Sequence, residues 1–165
     1  MATQAQRAHM LSLMEMLIAH EPQVHYPPRD VRTAADLTTF HLSEQQMFNL
    51  LNHGGGIQAD CSEMVTEICR WAGLSDPNGG NYKSPGYTGT LLGNLPHYDN
   101  PAEAGIGALI VFGPGTGEHV CMVMEPGPDP KLFSHGQEKG PLRIKLSKEA
   151  AAHRAPVTCL SIAHL

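Results

Sequence analysis

A cysteine stands where the sequence predicts the start of a helix. Residues 60–72 carry apolar side chains at helical spacing, and Gly73 follows as a helix-ending glycine. Cys61 lies at the N-terminal end of this segment, on its predicted buried face. The positive end of the helix dipole and the free N–H groups there favour the thiolate, which is the reactive form of cysteine. The position therefore predicts a nucleophile, with an inert core cysteine as the alternative.

Two histidines in the second half of the chain could serve such a nucleophile. His119 begins an apolar stretch after a glycine-rich turn, and a histidine base can take a thiol proton and later give it to a leaving amine. A hairpin that turns symmetrically about Gly127 places His135 directly opposite His119, on the same face. His135 is then predicted to orient the His119 ring, although a shift of one residue in register would send His135 to the other face. The sequence thus predicts a catalytic site of Cys61, His119 and His135.

A metal site is the alternative use of the same side chains. Cys121 shares a strand face with His119, so the ligands could be Cys61, His119, Cys121 and His135. Zinc sites favour tightly paired ligands, and no two of the four cysteines form a C-x-x-C pair. We therefore expect no metal and no cofactor.

The first half of the chain is predicted to supply helices. Helical spacing predicts one helix over 2–20, a second over 43–53 behind a capping box at Ser43, and a third over 60–72. A long connection follows over 74–105, with one short helix near Leu91–Leu95.

From residue 107 the pattern changes to short apolar strands separated by turns. An α+β fold is predicted, in which N-terminal helices pack on an antiparallel sheet of about five strands and the cysteine lies at a helix N-terminus. One or two helical turns are predicted over 147–153. The predicted strands are 108–112, 119–125, 131–135, 142–146 and 157–162.

Composition limits the classes of function. The 165 residues predict a single domain over 1–165, and 41% hydrophobic content excludes a wholly disordered chain. Eleven basic residues against sixteen acidic ones give a net charge of −5 with no basic run, so we expect no nucleic-acid partner. The N-terminal apolar stretch is interrupted by Ser12, Glu15 and His20. We therefore expect no secretory signal, no membrane span, synthesis in a cytoplasm, and a monomer.

Taken together, the motifs resemble the NlpC-type cell-wall cysteine peptidases, which have a papain-like fold. The order of Cys, His and His matches, and the similar stretches span roughly residues 25–136. These stretches are His25-Tyr26, Ala59-Asp60-Cys61-Ser62, Gly107-Ala108-Leu109-Ile110-Val111-Phe112, His119-Val120-Cys121-Met122-Val123 and Phe133-Ser134-His135.

The resemblance implies a hydrolase that cuts the stem peptides of bacterial peptidoglycan, typically between γ-linked D-glutamate and the diamino acid. It implies Cys61 as nucleophile, His119 as base and His135 as the orienting residue. It further implies that Tyr26 lies near the site, and that the flanking pair Asp60 and Ser62 lines a pocket for the substrate amine.

Three features depart from the family pattern. Glu63 stands where a glycine often follows the D-C-S triplet, and Ala108 stands where an aspartate often follows the glycine. An insert over 36–53 separates Tyr26 from Cys61. These departures leave the three catalytic residue types in place, but they change the surroundings of a bound substrate.

The expected setting is a phage endolysin that acts at the cell wall after release, with a tail-associated lysin as another possibility. Two alternatives stay open: a non-catalytic wall-binding or virion structural domain of the same fold, and a secreted antibacterial effector amidase. The amidase class uses Asn or Asp as its third residue, whereas this sequence offers His135.

Overall fold

Three helices form the N-terminal part of the protein, as the sequence predicts. The computed structural model describes residues 1–27, 36–98, 100–136 and 140–165. Thr3 and Ser43 close capping boxes at the first two helices, and Asp60 caps the third through its carboxylate. The helices are α1 (Gln4–Ala19), α2 (Glu44–Asn52) and α3 (Cys61–Trp71).

A three-stranded parallel sheet, which the sequence analysis did not predict, joins the segments on either side of α2. Its strands are β1 (Val24–His25), β2 (Leu37–Thr38) and β3 (Ile57–Gln58), with β3 in the middle. Strands of two residues carry no alternating pattern, which is why they leave no signal in the sequence. Because β1 and β3 run parallel, the residues that follow them emerge at the same end of the small sheet. Tyr26, which follows β1, therefore lies near the start of α3, which comes shortly after β3.

The main sheet has six strands, one more than predicted, and every adjacent pair is antiparallel. The extra strand, β4, is a two-residue edge strand that follows a short helix, α4 (Thr88–Asn94). The order across the sheet is β4-β9-β5-β6-β7-β8. The strands are β4 (His97–Tyr98), β5 (Leu109–Phe112), β6 (His119–Glu125), β7 (Lys131–Ser134), β8 (Leu142–Lys145) and β9 (Val157–Leu160).

The two faces of this sheet belong to two separate apolar clusters. One face packs against α1 and α3, and its β6 residues are Val120, Met122 and Met124. The other face contains Cys121 and Val123 and is covered by α5 (Leu146–Ala152), a helix that the sequence predicts as one or two turns. Alternation along β6 therefore decides which layer each side chain enters.

The β6–β7 hairpin has a different register from the predicted one. Met122 pairs with Phe133, and a bulge shifts the pairing near the turn so that Glu125 pairs with Lys131. Continuation of this register puts Gly136, not His135, opposite His119, and a Cβ added to Gly136 would lie 3.8 Å from His119 Cε1. The predicted His119–His135 pairing is therefore wrong by one residue, because the hairpin turns about Pro128 rather than Gly127 and the bulge then shifts the register by one residue.

No helix in the described part of the chain has the length and the apolar character needed to cross a membrane.

Candidate active site

The first turn of α3 holds Cys61 in a fixed position. Asp60 Oδ1 accepts hydrogen bonds from the Glu63 amide at 2.8 Å and from the Ser62 hydroxyl at 2.7 Å. Cys61 is the first residue of the helix, only 6% exposed, so its sulfur lies at the positive end of the helix dipole. The structure thus places Asp60 and Ser62 beside the cysteine, where they hydrogen-bond to each other.

Tyr26 supplies a hydroxyl group to the same sulfur. Its Oη lies 3.9 Å from Cys61 Sγ, in the direction of an O–H···S hydrogen bond. Burial, together with the charge of a neighbouring Cys61 thiolate, raises the pKa of Tyr26, so the phenol stays protonated and acts as a donor. The parallel pairing of β1 with β3 explains why Tyr26, a residue 35 positions upstream, reaches the cysteine.

His119 lies beside Cys61 and is almost fully buried. Its Nε2 atom is surrounded by Ser134 Oγ at 3.0 Å, Glu149 Oε1 at 3.1 Å and Cys121 Sγ at 3.3 Å. Ser134 Oγ also lies 2.7 Å from Glu149 Oε1, to which it donates a hydrogen bond. A carboxylate from α5 and a hydroxyl from β7 therefore orient the imidazole ring.

The charge of this cluster is set by Glu149. Burial alone would lower the pKa of His119, but interactions with Cys121, Cys61 and Glu149 outweigh it and raise that pKa above its usual range. The contribution of Cys121 to this shift requires its thiolate, but burial raises the pKa of the Cys121 thiol, so at pH 7 the anion beside His119 is Glu149. Burial would raise the pKa of Glu149, yet hydrogen bonds from His119 and Ser134 lower it to about 2. The pair is therefore an imidazolium and a carboxylate at neutral pH.

His135 has a different neighbourhood from the predicted one. It lies past the end of β7 with 1% exposure, and its Nε2 donates a hydrogen bond to the Ala59 carbonyl at 2.8 Å. Its ring packs against Tyr26 with 5.4 Å between the ring centroids. His135 thus supports the segment that leads into Cys61, while Glu149 and Ser134 take the predicted place beside His119.

The sequence analysis missed Glu149 and Ser134. A signal for Glu149 exists, since helical spacing over 146–153 puts Leu146, Glu149, Ala150 and His153 on one face, with a carboxylate among apolar residues. A buried acid in such a stripe needs a partner, and here the partner is His119. The position of Ser134 beside His119 depends on the strand register alone, which the sequence does not determine.

A cleft of about 410 Å³ gives access to these groups. Tyr26 and His119, the two side chains that flank Cys61, form part of its wall. Ser134, Glu149 and His153 line the same cleft. A substrate in the cleft would therefore meet the imidazole and the phenol together.

Three of the described residues form a group that could hold a metal ion: His119, Cys121 and Glu149, whose ligand atoms lie within 4.8 Å of one another. This group shares His119 and Cys121 with the ligand set considered from sequence. The group contains Glu149 in place of Cys61 and His135, which belonged to the ligand set considered from sequence.

Comparison with known proteins gives a structural likeness but no family. No protein-family model matches the chain, and no curated protein matches it. The structure is similar to that of the peptidoglycan hydrolase RipB from Mycobacterium tuberculosis, with 18% sequence identity and a TM-score of 0.49 over 99% of this chain and 69% of the RipB chain. A likeness this weak does not establish a shared fold, and the function proposed below is supported by the geometry of the site and by the sequence motifs.

Proposed function

We propose that the protein is a cysteine peptidase with Cys61 as nucleophile and His119 as base. The observation that carries the proposal is the convergence on one sulfur of a helix N-terminus, an imidazole ring and a phenol O–H. Each of these groups stabilises a thiolate, and together they describe an activated nucleophile rather than a core cysteine. Glu149 and Ser134 are the proposed orienting residues, and His135 positions the segment before Cys61.

The proposed reaction has two stages. The Cys61 thiolate attacks the carbonyl carbon of the scissile amide, and the His119 imidazolium gives its proton to the leaving amine as the C–N bond breaks. The resulting thioester is hydrolysed by a water molecule whose proton passes to His119. Glu149 keeps the ring oriented and stabilises its charged form in both stages.

The proposed substrate is a peptidoglycan stem peptide, cut at the bond between γ-linked D-glutamate and the diamino acid. Support comes from the sequence resemblance to the NlpC-type peptidases. Asp60 and Ser62, which flank Cys61, are the proposed contacts for the substrate amine. The proposed setting is a phage lysin that is made in the host cytoplasm and acts on the wall after release.

Digestion of purified cell walls tests the proposal. Cys61→Ala is expected to abolish the release of wall fragments, because the proposed thioester forms on the Cys61 sulfur. The matched control is Cys69→Ala, which removes a buried sulfur from the same helix about 12 Å further along its axis. This control is expected to keep its activity and to lose roughly 1 kcal/mol of stability.

Fragment analysis by mass spectrometry then identifies the bond. New N-termini on the diamino acid support the proposed substrate. Wall clearing by Cys61→Ala at the wild-type rate would refute the mechanism, and binding without cleavage by the wild-type protein would favour the wall-binding alternative.

A further inference from the structure

The cluster behind the proposed base has the donor set of a transition-metal site. His119 Nε2, Cys121 Sγ and Glu149 Oε1 come from β6 and α5, and they are separated by 3.1 Å (N to O), 3.3 Å (N to S) and 3.7 Å (S to O). All three residues are buried. A nitrogen, a sulfur and a carboxylate oxygen are donors typical of Zn²⁺ and unlike the all-oxygen sites of Mg²⁺ or Ca²⁺.

These separations agree with the edges of a coordination tetrahedron. With Zn–N and Zn–O bonds of about 2.0–2.1 Å and a Zn–S bond of about 2.3 Å, tetrahedral ligands lie about 3.3–3.6 Å apart. The three measured separations differ from these edges by no more than a few tenths of an ångström. An ion could therefore enter with small movements of the side chains.

The crowding around His119 Nε2 is a further sign of a metal site. Three polar atoms, from Ser134, Glu149 and Cys121, lie within 3.3 Å of His119 Nε2. An imidazole nitrogen offers either one hydrogen or one lone pair, so it cannot serve three partners at full strength. A cation at the centre of the cluster would be coordinated by the His119 lone pair, the Cys121 thiolate and the Glu149 carboxylate at the same time.

The surroundings of the cluster would support a bound ion. Ser134 donates a hydrogen bond to Glu149, and His153 Nε2 lies 3.4 Å from the same carboxylate oxygen, so the carboxylate is held by outer groups. His119 and Glu149 line the cleft, which offers a path for entry and room for a water molecule at a fourth position.

We propose that His119 Nε2, the Cys121 thiolate and Glu149 bind a Zn²⁺-class cation that switches the peptidase off. Binding releases two protons to solvent: one from the Cys121 thiol as the metal–sulfur bond forms, and one from Nε2 of the His119 imidazolium as the metal–nitrogen bond forms. With the metal on Nε2, the neutral ring must carry its proton on Nδ1 and cannot take up a second one. The metal-bound ring therefore cannot accept the Cys61 proton. The inhibitory part of this inference rests on the proposed peptidase function, whereas the binding part does not.

Cobalt titration tests binding without any need for activity. Metal-free protein carrying Cys61→Ala, so that Cys61 cannot be a ligand, is titrated with Co²⁺. We expect one equivalent to bind and to produce a thiolate-to-cobalt charge-transfer band. Adding Cys121→Ala should remove the band and weaken binding by at least about 100-fold, since loss of an outer-shell partner alone costs about 10–100-fold. Adding Cys159→Ala, which removes another buried sulfur, should leave both unchanged.

A second variant guards against misfolding of the first. Glu149→Gln in the same background should weaken Co²⁺ binding while keeping the sulfur band at saturating metal, and circular dichroism checks the fold of each protein. Absence of a charge-transfer band in the Cys61→Ala protein would overturn the site, as would an unchanged band after Cys121→Ala.

Zinc inhibition tests the switch. Wall digestion by the wild-type enzyme and by Cys121→Ala is measured with and without Zn²⁺, each normalised to its own metal-free rate. We expect Cys121→Ala to need at least about 100-fold more Zn²⁺ for half-inhibition. Equal zinc sensitivity would show that the ion acts elsewhere, for example on Cys61, and would overturn the switch. If walls are not cut at all, the peptidase proposal fails while the cobalt result still decides the metal site.

Discussion

Glu149 gives the buried imidazole of His119 a charged partner at the ring nitrogen Nε2. A carboxylate in this position fixes the ring tautomer and stabilises the imidazolium that forms when Cys61 is a thiolate. An amide can still hydrogen-bond to the ring but carries no charge.

Glu149→Gln is therefore expected to lower kcat by at least about 100-fold, with a smaller change in KM, because the lost stabilisation applies to the reacting state. Steady-state digestion of a fluorescent stem peptide measures both constants. Glu103→Gln, the same change at an exposed position, is the control. A Glu149→Gln enzyme with the wild-type kcat would remove Glu149 from the orienting role.

His135 supports the backbone of the segment that leads into Cys61. His135→Ala removes the hydrogen bond to the Ala59 carbonyl and leaves a cavity next to Tyr26. We expect a loss of about 2–4 kcal/mol in the free energy of unfolding, measured by urea denaturation. His135→Gln keeps an N–H donor and should recover part of this loss. If both variants are as stable as the wild type, the Ala59 contact is not a support.

At the scale of elements, the cap of α3 links stability to the reactivity of Cys61. Asp60→Ala removes the acceptor for the Glu63 amide, which should cost about 1 kcal/mol and loosen the helical turn that begins with Cys61. The rate of Cys61 alkylation by iodoacetamide should fall along with it.

Thr3→Ala is the matched control, because Thr3 caps α1 in the same way but far from the site in the chain. It should cost a similar amount of stability and leave the alkylation rate unchanged. Equal alkylation rates in the two variants would show that the α3 cap does not affect the reactivity of Cys61.

Elements with strong local signals could be predicted from the sequence. The 3.6-residue period indicates α1, α2 and α3, the capping box at Ser43 marks the start of α2, and apolar runs indicate five strands of the main sheet. The small parallel sheet depends on pairing between distant two-residue segments, so no local pattern reveals it. The register of the β6–β7 hairpin, with its bulge, likewise has no local signal in the sequence, and it determines that Ser134 rather than His135 lies beside His119.

At the scale of the whole molecule, the His119–Glu149 pair makes stability depend on pH. Glu149 has a pKa of about 2 in the folded protein against an ordinary 4.5, so its contribution is complete above pH 4.5 and is lost as the pH falls towards 2. The pKa of His119 is raised above 6.5, so its contribution is complete below that value and is lost only as the pH rises through the raised pKa. The pair therefore stabilises the fold fully between these two ordinary values.

Urea denaturation in EDTA, which keeps the cluster metal-free, measures this dependence. The wild type should exceed Glu149→Gln by at most about 3 kcal/mol near pH 5, and the difference should shrink on acidification to about pH 2. The charged or polar groups that face Glu149 are His119, Cys121, Ser134 and His153, and they are unchanged in this comparison. A difference that stays constant over this range would contradict the ionised pair.

The position of β9 has a consequence for how the protein is made. Among the described strands of the main sheet, β9 comes last in sequence order, yet it is inserted between β4 and β5, in the interior of the sheet. While a ribosome is still synthesising residues 157–160, the backbone groups of β5 on that side have no strand to pair with. The nascent chain therefore passes through a stage in which an apolar strand edge is open, and partners that bind such edges have their opportunity then. Since β5 also pairs with β6, which carries His119, the proposed active site should become rigid only after this segment has been synthesised.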